Sequence, residues 1–276
     1  MAIAYHTQTV LITGASSGIG RSFAAALAAR GADLVLVARR ADRLESLAAE
    51  LRDRHSVVAH PIPFDLSTPS AGAKLRDATA ERGIHVTSLV NNAGFGSFGP
   101  FTGEDPERLA GEIAVDVSAP VQLTAAFLPQ ILATGGGGFV INVASMAAYA
   151  PTPRMAVYGA AKAFVLSFTE ALWAELRGTG VAVFALSPGA TSTEFNQVVG
   201  TDDATAGARM RPPEAVVATA LAHLDRHCPG PSVIDGRRNR LGVNAVRLLP
   251  RRAVARLAER ISDPSRRHRG RTRATT

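Results

Sequence analysis

The sequence predicts a single α/β domain built on a mostly parallel, doubly wound sheet, and three observations predict it. Short β-branched runs alternate with alanine- and leucine-rich stretches as far as residue 190. The strand-like runs are continuously apolar, as strands covered on both faces by helical crossovers must be. Glycines and prolines punctuate the joins between the two kinds of segment. The resulting β-α-β-α-β order places ligands past the carboxyl ends of the strands.

The elements follow in order. Strands are expected over residues 9–13, 34–37, 57–62, 87–90, 139–143 and 181–186, with 232–234 as a short final edge strand. Helices are expected over 20–30, 42–54 and 156–176, the first stopped by Gly31 at a C-cap position. The glycine run 135–138 reads as a flexible joint before the fifth strand, and Pro188-Gly189 closes the sixth.

A chain of 276 residues buries one substantial core and does not call for a second domain. Its 46% hydrophobic and 19% charged residues exclude general disorder and a fibrous or repeat chain. No uninterrupted apolar stretch is long enough to span a bilayer. The N-terminus runs from polar residues straight into a strand, without the regions of a signal peptide, so a cytoplasmic location is the default expectation. Cys228 is the single cysteine and the histidines are scattered, so neither a disulfide nor a metal centre is expected.

The net charge of +7 belongs to one end of the chain. After Gly236 a series of arginines faces only Glu259 and Asp263, which leaves the rest slightly acidic. The expected organisation is a catalytic domain over 7–235 and a basic C-terminal extension over 236–276. Within the extension, 250–261 reads as a helix started by proline, with Val254, Leu257 and Ile261 on one face and Arg252, Arg256 and Arg260 largely elsewhere. The polar residues after it are expected to be disordered. Packing on the main domain is the plain reading of this helix, and peripheral contact with an anionic membrane is the sharper one. Nucleic-acid binding is disfavoured, because no aromatic residues are interleaved with the arginines to stack on bases.

The strand ends carry the chemistry. Thr13-Gly14-Ala15-Ser16-Ser17-Gly18-Ile19-Gly20 follows the first strand and opens a helix. Such a loop lets backbone approach a pyrophosphate, with free N–H groups of the helix start facing its charge. Arg39 and Arg40 end the second strand, where a guanidinium can receive a 2′-phosphate; Asp33 lies at the wrong end to hold a ribose. The expected cofactor is therefore NADP(H) in preference to NAD(H). Asp65-Leu66 would flank the adenine, and Asn92-Ala93-Gly94 would let the cofactor lie against the chain. After the fifth strand come Ser145, Tyr158 and Lys162, the last two one helical turn apart. A neighbouring ammonium lowers a phenol's pKa, which suits Tyr158 to proton transfer.

Together these motifs closely resemble the classical short-chain dehydrogenase/reductase family over residues 7–235: TGASSGIG at 13–20, NNAG at 91–94, Ser145, YGAAK at 158–162 and PGATST at 188–193. The resemblance implies a Rossmann fold and hydride transfer between nicotinamide and a carbonyl or secondary alcohol, with Tyr158 as general acid/base. It also implies that Lys162 contacts the nicotinamide ribose, and that Pro188, Gly189 and Ala190 lie against the carboxamide with Thr191 or Thr193. A homodimer or homotetramer through the helices of Asp116 and Tyr158 is implied as well. One position departs from the family: Asp116 stands where an asparagine normally positions a relay water. A charged Asp116 is expected to favour the Lys162 ammonium and alter the pH profile. Phe95, Phe98, Met146, Ala147, Ala148, Tyr149, Pro151, Phe195, Val198 and Val199 suggest an uncharged, mostly apolar substrate, although Glu194, Asp202 and Asp203 share the loop beyond Pro188. The alternative is a nucleotide-binding regulator or scaffold of the same fold; an epimerase or dehydratase would need more chain after Pro188.

Overall fold

The computed structural model describes residues 3–265. Seven strands, β1 (Thr9–Thr13), β2 (Asp33–Ala38), β3 (Ala59–Pro63), β4 (Ser88–Asn91), β5 (Phe139–Val143), β6 (Ala182–Ser187) and β7 (Ser232–Ile234), form one sheet. Their order is β3-β2-β1-β4-β5-β6-β7 and every pairing is parallel. This is the Rossmann arrangement the alternation predicts. β3 begins later than expected because Val58 is spent outside it: its N–H donates to the Asp33 carboxylate (2.8 Å) and its carbonyl accepts from Leu34.

Alternate residues of each strand feed opposite cores. Val10 and Ile12 of β1 join Phe23, Leu27, Leu44 and Val216 on one face; these come from α1 (Gly18–Ala28), α2 (Ala41–His55) and α8 (Pro213–Leu224). Leu11 joins Leu75, Leu123 and Phe127 on the other, from α3 (Ala71–Ala80) and α5 (Ala119–Ala133). Each buried leucine or phenylalanine contributes about 1.5–3 kcal/mol of transfer free energy. That two-sided burial explains why the strands read as unbroken apolar runs. Gly31, at φ +85°, ends α1 in the left-handed region, as its C-cap position predicts.

The sheet reverses direction at β1, which lies between β2 and β4. The carboxyl ends of β1, β2, β4, β5 and β6 are in register, so the loops leaving them share one crevice. α4 (Pro106–Ile113) runs through a π-bulge at Ala114–Ser118 into α5, and α6 (Ala156–Glu175) crosses behind it. α6 buries Gly159, Lys162, Val165, Leu166 and Thr169 along one face. Lys162 is therefore carried inward by the same stripe that packs the helix.

After β6 come α7 (Phe195–Val199) and α8, and after β7 come α9 (Arg237–Arg247) and α10 (Arg251–Ser262). α9 packs on the turn Met146–Tyr149. In α10 only part of the expected apolar face is covered: Val254 is buried, whereas Leu257 and Ile261 are about half exposed. No helix of the described residues is long and apolar enough to cross a membrane. The expected disorder at 266–276 lies outside the described residues. His223 and His227 do stand four apart, a spacing able to hold a metal, but His223 faces inward. Its Nε2 meets the Gly230 carbonyl at 2.9 Å and its ring packs edge-on against Phe184.

Candidate active site

The loop from β1 into α1 is shaped by contacts only glycine permits. Gly14 and Gly18 have φ of +66° and +52°, and a Cβ on Gly20 would stand 2.3 Å from the Gly14 carbonyl oxygen. Ser17 caps α1 without using its side chain on the backbone, while Ile19 packs against the core. Asn92 and Ala93 brace this loop from β4: both N–H groups donate to Thr13 Oγ1, at 2.9 and 3.0 Å, and Asn92 Nδ2 donates to the Thr13 carbonyl at 2.9 Å. The result is a rigid, close-approach surface beside a helix N-terminus. Its shape and donors fit a dinucleotide pyrophosphate.

At the end of β2 the structure separates the two arginines named from sequence. Arg39 is exposed, near Asp65. Arg40 lies over the glycine loop, donating to Ser16 Oγ (3.3 and 3.0 Å) and Ser17 Oγ (3.1 Å). Its partner is Arg43, one turn into α2: both hold Glu194, at 2.7 Å from Arg40 and 2.5 Å from Arg43. These arginines keep the Glu194 carboxyl below its ordinary pKa. Asp65 accepts from the Ser67 N–H and hydroxyl, which hold its own carboxyl low, and Leu66 is packed into the core with Ile62 and Leu75.

The reacting set gathers where β4, β5 and α6 meet. Lys162 Nζ donates to the Val143 carbonyl (3.3 Å), lies 3.7 Å from Asp116 Oδ1 and 5.6 Å from the Tyr158 ring centroid. Gly94 passes so close that a Cβ there would stand 2.4 Å from Asp116 Oδ1 and 2.9 Å from Lys162 Nζ. Ser145 follows β5, accepts the Ala147 N–H at 3.1 Å and lies close enough to Tyr158 to pull its pKa down. The π-bulge turns Asp116 fully inward, where it accepts the Phe95 N–H at 3.2 Å.

The expectation of a lowered Tyr158 pKa needs correction. Burial pushes the phenol above its ordinary value, and Lys162 and Ser145 offset this only in part, with Asp116 and Glu112 opposing them. Asp116 itself is pushed up from 3.8 to about 6 by burial, against the pull of Lys162 and the Phe95 N–H. An ionised group stripped of water loses more than one partner returns.

The loop after β6 closes the crevice. The Pro188 carbonyl accepts the Met146 N–H at 2.9 Å, and Gly189 sits where a Cβ would strike Asn239 of α9 at 2.4 Å. Thr191 Oγ1 donates to the Gly189 carbonyl, and Thr193 Oγ1 accepts the Phe195 N–H while its methyl lies over Gly18. Phe195 packs at a tilt of 53° against Tyr158 with centroids 5.3 Å apart, and with Met155 it walls the space at Gly96. Sequence reasoning missed the contact of Arg43 with Glu194, which it placed only in the loop beyond Pro188, and it missed Glu112. Arg43 and Glu194 meet across 151 residues, and nothing in either local pattern marks that contact.

Comparison with known proteins agrees with this geometry. The short chain dehydrogenase family model matches residues 8–204. A sulfoacetaldehyde reductase of Chromohalobacter salexigens is 38% identical over 221 residues, spanning 79% of this chain and 86% of that protein. A short-chain dehydrogenase from Sphingobium yanoikuyae, solved in complex with NADPH, is 36% identical with a TM-score of 0.78, covering 87% of this chain and 92% of that one. A 7β-hydroxysteroid dehydrogenase structure is 30% identical with a TM-score of 0.81, covering 94% and 100%.

Proposed function

The chain belongs to the short-chain dehydrogenase/reductase family, and from that membership we propose that it is an NADP(H)-dependent oxidoreductase of carbonyl and secondary alcohol groups with Tyr158 as its proton-transferring residue. The observation that carries this is the placement of Tyr158, Ser145 and Lys162 together at the floor of the glycine-lined crevice. The nicotinamide, when bound, supplies or accepts the hydride. Gly14, Ser16, Ser17, Gly18 and Ile19 would receive its pyrophosphate, and Arg40 with Arg43 its 2′-phosphate. Pro188, Gly189, Thr191 and Thr193 would border the nicotinamide. The NADPH-bound relative supports NADP(H) as the cofactor.

Tyr158 donates its proton to the substrate oxygen in reduction and takes it back in oxidation. Ser145 holds that oxygen in line. The Lys162 ammonium stabilises the phenolate left behind, an effect enlarged by burial. Phe195, Met155 and Tyr158 give the substrate side an apolar wall, which favours an uncharged, mostly apolar carbonyl; one similar structure is a 7β-hydroxysteroid dehydrogenase. The sulfoacetaldehyde reductase points instead to a small anionic aldehyde. Measuring NADPH and NADH oxidation with aromatic and medium-chain ketones, a steroid ketone and sulfoacetaldehyde decides between them. Turnover faster with NADPH and an apolar ketone is expected; a preference for sulfoacetaldehyde would overturn the substrate reading, and no turnover at all the enzymatic one.

The same reading includes self-association. Ile113 and Phe164, 47% and 43% exposed, border a shallow apolar depression with Val117, Val157 and Ala160. A second copy covers this face in the proposed dimer. Sedimentation velocity is expected to give a dimer or larger species, and Phe164→Glu to shift it toward monomer.

A further inference from the structure

Glu112 is a buried carboxylate that the reaction above does not use. It ends α4 with no exposed surface. Its Oε2 accepts the Ser97 hydroxyl at 2.9 Å, and Arg108 Nε donates to that same hydroxyl at 3.1 Å. Its Oε1 has no hydrogen-bond partner, and neither has Oδ2 of Asp116 one turn further on. Two buried carboxylates on adjacent turns, each with an idle oxygen, are costly if both are ionised and are relieved by one shared proton.

The surroundings give that proton a route. Ser97, Glu104, Glu112, Arg154, Met155 and Tyr158 line a small cavity of about 30 Å³, enough for a water molecule. Phe101, which also borders it, is 66% exposed, so the cavity lies just beneath the surface. Inward from Glu112 come Asp116, then Lys162 at 3.7 Å, then Tyr158. The titratable and charged groups facing Glu112 are Arg108 on its own helix, Asp116 in the π-bulge, Tyr158 on α6, and Glu104 and Arg154 across the cavity.

We propose that Glu112 shares one proton with Asp116 and supplies it inward to Lys162 and Tyr158 from water in this cavity. The inference rests on the oxidoreductase reading with Tyr158 as the acid. In reduction, the Tyr158 O–H bond breaks and its proton joins the substrate oxygen made negative by the hydride. A Lys162 N–H proton restores Tyr158, and the shared carboxyl proton restores Lys162. Water in the cavity reprotonates Glu112, so each turnover consumes one solvent proton and no electrons beyond the hydride pair. Oxidation runs the same chain outward. Glu112 touches no reacting atom, so its role is positioning: it holds the proton next to the groups that use it. Burial and the Asp116 charge push its carboxyl up from 4.5 to about 7, with Ser97 and Arg108 resisting, which suits that role.

Infrared titration of the cofactor-free protein reads the shared proton without turnover. A carboxylic acid C=O band that titrates near pH 7 is expected in the native chain and in Tyr158→Phe, and Glu112→Gln is expected to remove that component and leave only the Asp116 band titrating near 6. In turnover, Glu112→Gln should lower kcat severalfold with little change in KM and move a limb of the pH profile. Ser97→Ala, which removes the hydroxyl steadying the carboxylate, should move that limb to higher pH. An active enzyme with no such band, or with Glu112→Gln and Ser97→Ala profiles superimposable on the native one, overturns the relay alone. A band without turnover on any substrate overturns the oxidoreductase reading and the relay with it.

Discussion

Two carboxylate–cation sites in this molecule use the same groups in opposite ways. At the rim of the crevice Glu194 meets Arg40 and Arg43, all of them 32–45% exposed, and its carboxyl is held below the usual range. At the floor Asp116 meets Lys162, with 0% and 6% exposure, and its carboxyl is pushed up to about 6. Water accounts for the difference. At the rim solvent still serves every charge, so the arginines act on a carboxylate that was already content to be ionised. At the floor the loss of hydration outweighs one ammonium 3.7 Å away. In the proposed enzyme the rim would exchange anions and the floor would store protons.

The largest expected effect breaks the floor at its reacting end. Tyr158→Phe removes the group proposed to transfer the proton and is expected to lower kcat by about a thousandfold. Cofactor affinity, set mainly at the rim and in the glycine loop, should change little. Turnover near the native rate in this variant would remove Tyr158 from the mechanism. Next in size is the rim itself. Arg40→Ala or Arg43→Ala should weaken NADPH binding by about 10–100-fold, the worth of a charge-assisted contact. NADH binding should be nearly unchanged in both, and fluorescence titration of each nucleotide measures the ratio. Equal losses for NADPH and NADH would show that these arginines do not read the 2′-phosphate.

Asp116→Asn sharpens the contrast, because it removes a charge from the floor without changing its shape. Asp116 ionises as pH rises through about 6, so a pH–rate limb there should vanish or move in the variant. Superimposable profiles would separate Asp116 from the reaction. Stability gives the same sign independently. A carboxyl raised above its unfolded value stabilises the fold at low pH, below about 3.8, and that contribution is lost as pH climbs through about 6. The variant has no such loss. Its Tm relative to the native chain should therefore rise between pH 4 and pH 7, by the equivalent of a contribution on the order of 2 kcal/mol. A Tm difference that stays flat with pH would mean that Asp116 titrates normally.

The floor was far more legible in the sequence than the rim. Tyr158 and Lys162 announce themselves by helical spacing, and Ser145 and Gly94 by their place at strand ends, because the sheet puts all such ends in one crevice. The π-bulge was not legible, yet it is what turns Asp116 inward; no residue of Ala114–Ser118 signals it. Burial was likewise invisible at Tyr158, where proximity to Lys162 alone suggested a shift in the wrong direction. At the rim, Arg40 could be named because it ends β2. Its pairing with Arg43 depends on where α2 starts, and Glu194 arrives from the far side of β6. Contacts made by loops over such sequence distances leave no periodicity to read.

Glu194→Gln is the smallest expected effect and the one most specific to the rim. The Glu194 carboxylate occupies the two guanidinium groups that a 2′-phosphate would use, so it competes with that phosphate. Replacing it with a neutral amide should tighten NADPH binding by about two- to fivefold, as expected for exposed ion pairs worth roughly 0–1 kcal/mol. NADH, which brings no competing anion, should bind as before. The gain should shrink as salt is added, because the arginines and Glu194 lie within reach of solvent ions. Folding stability should scarcely move near neutral pH. In the native chain the pair's contribution is present above about pH 4.5 and is lost only as pH falls through the depressed carboxyl pKa. Weaker NADPH binding in Glu194→Gln would reverse the assignment: the carboxylate would then be steadying Arg40 and Arg43 for the phosphate, and the rim would resemble the floor in being preorganised around its own counter-charge.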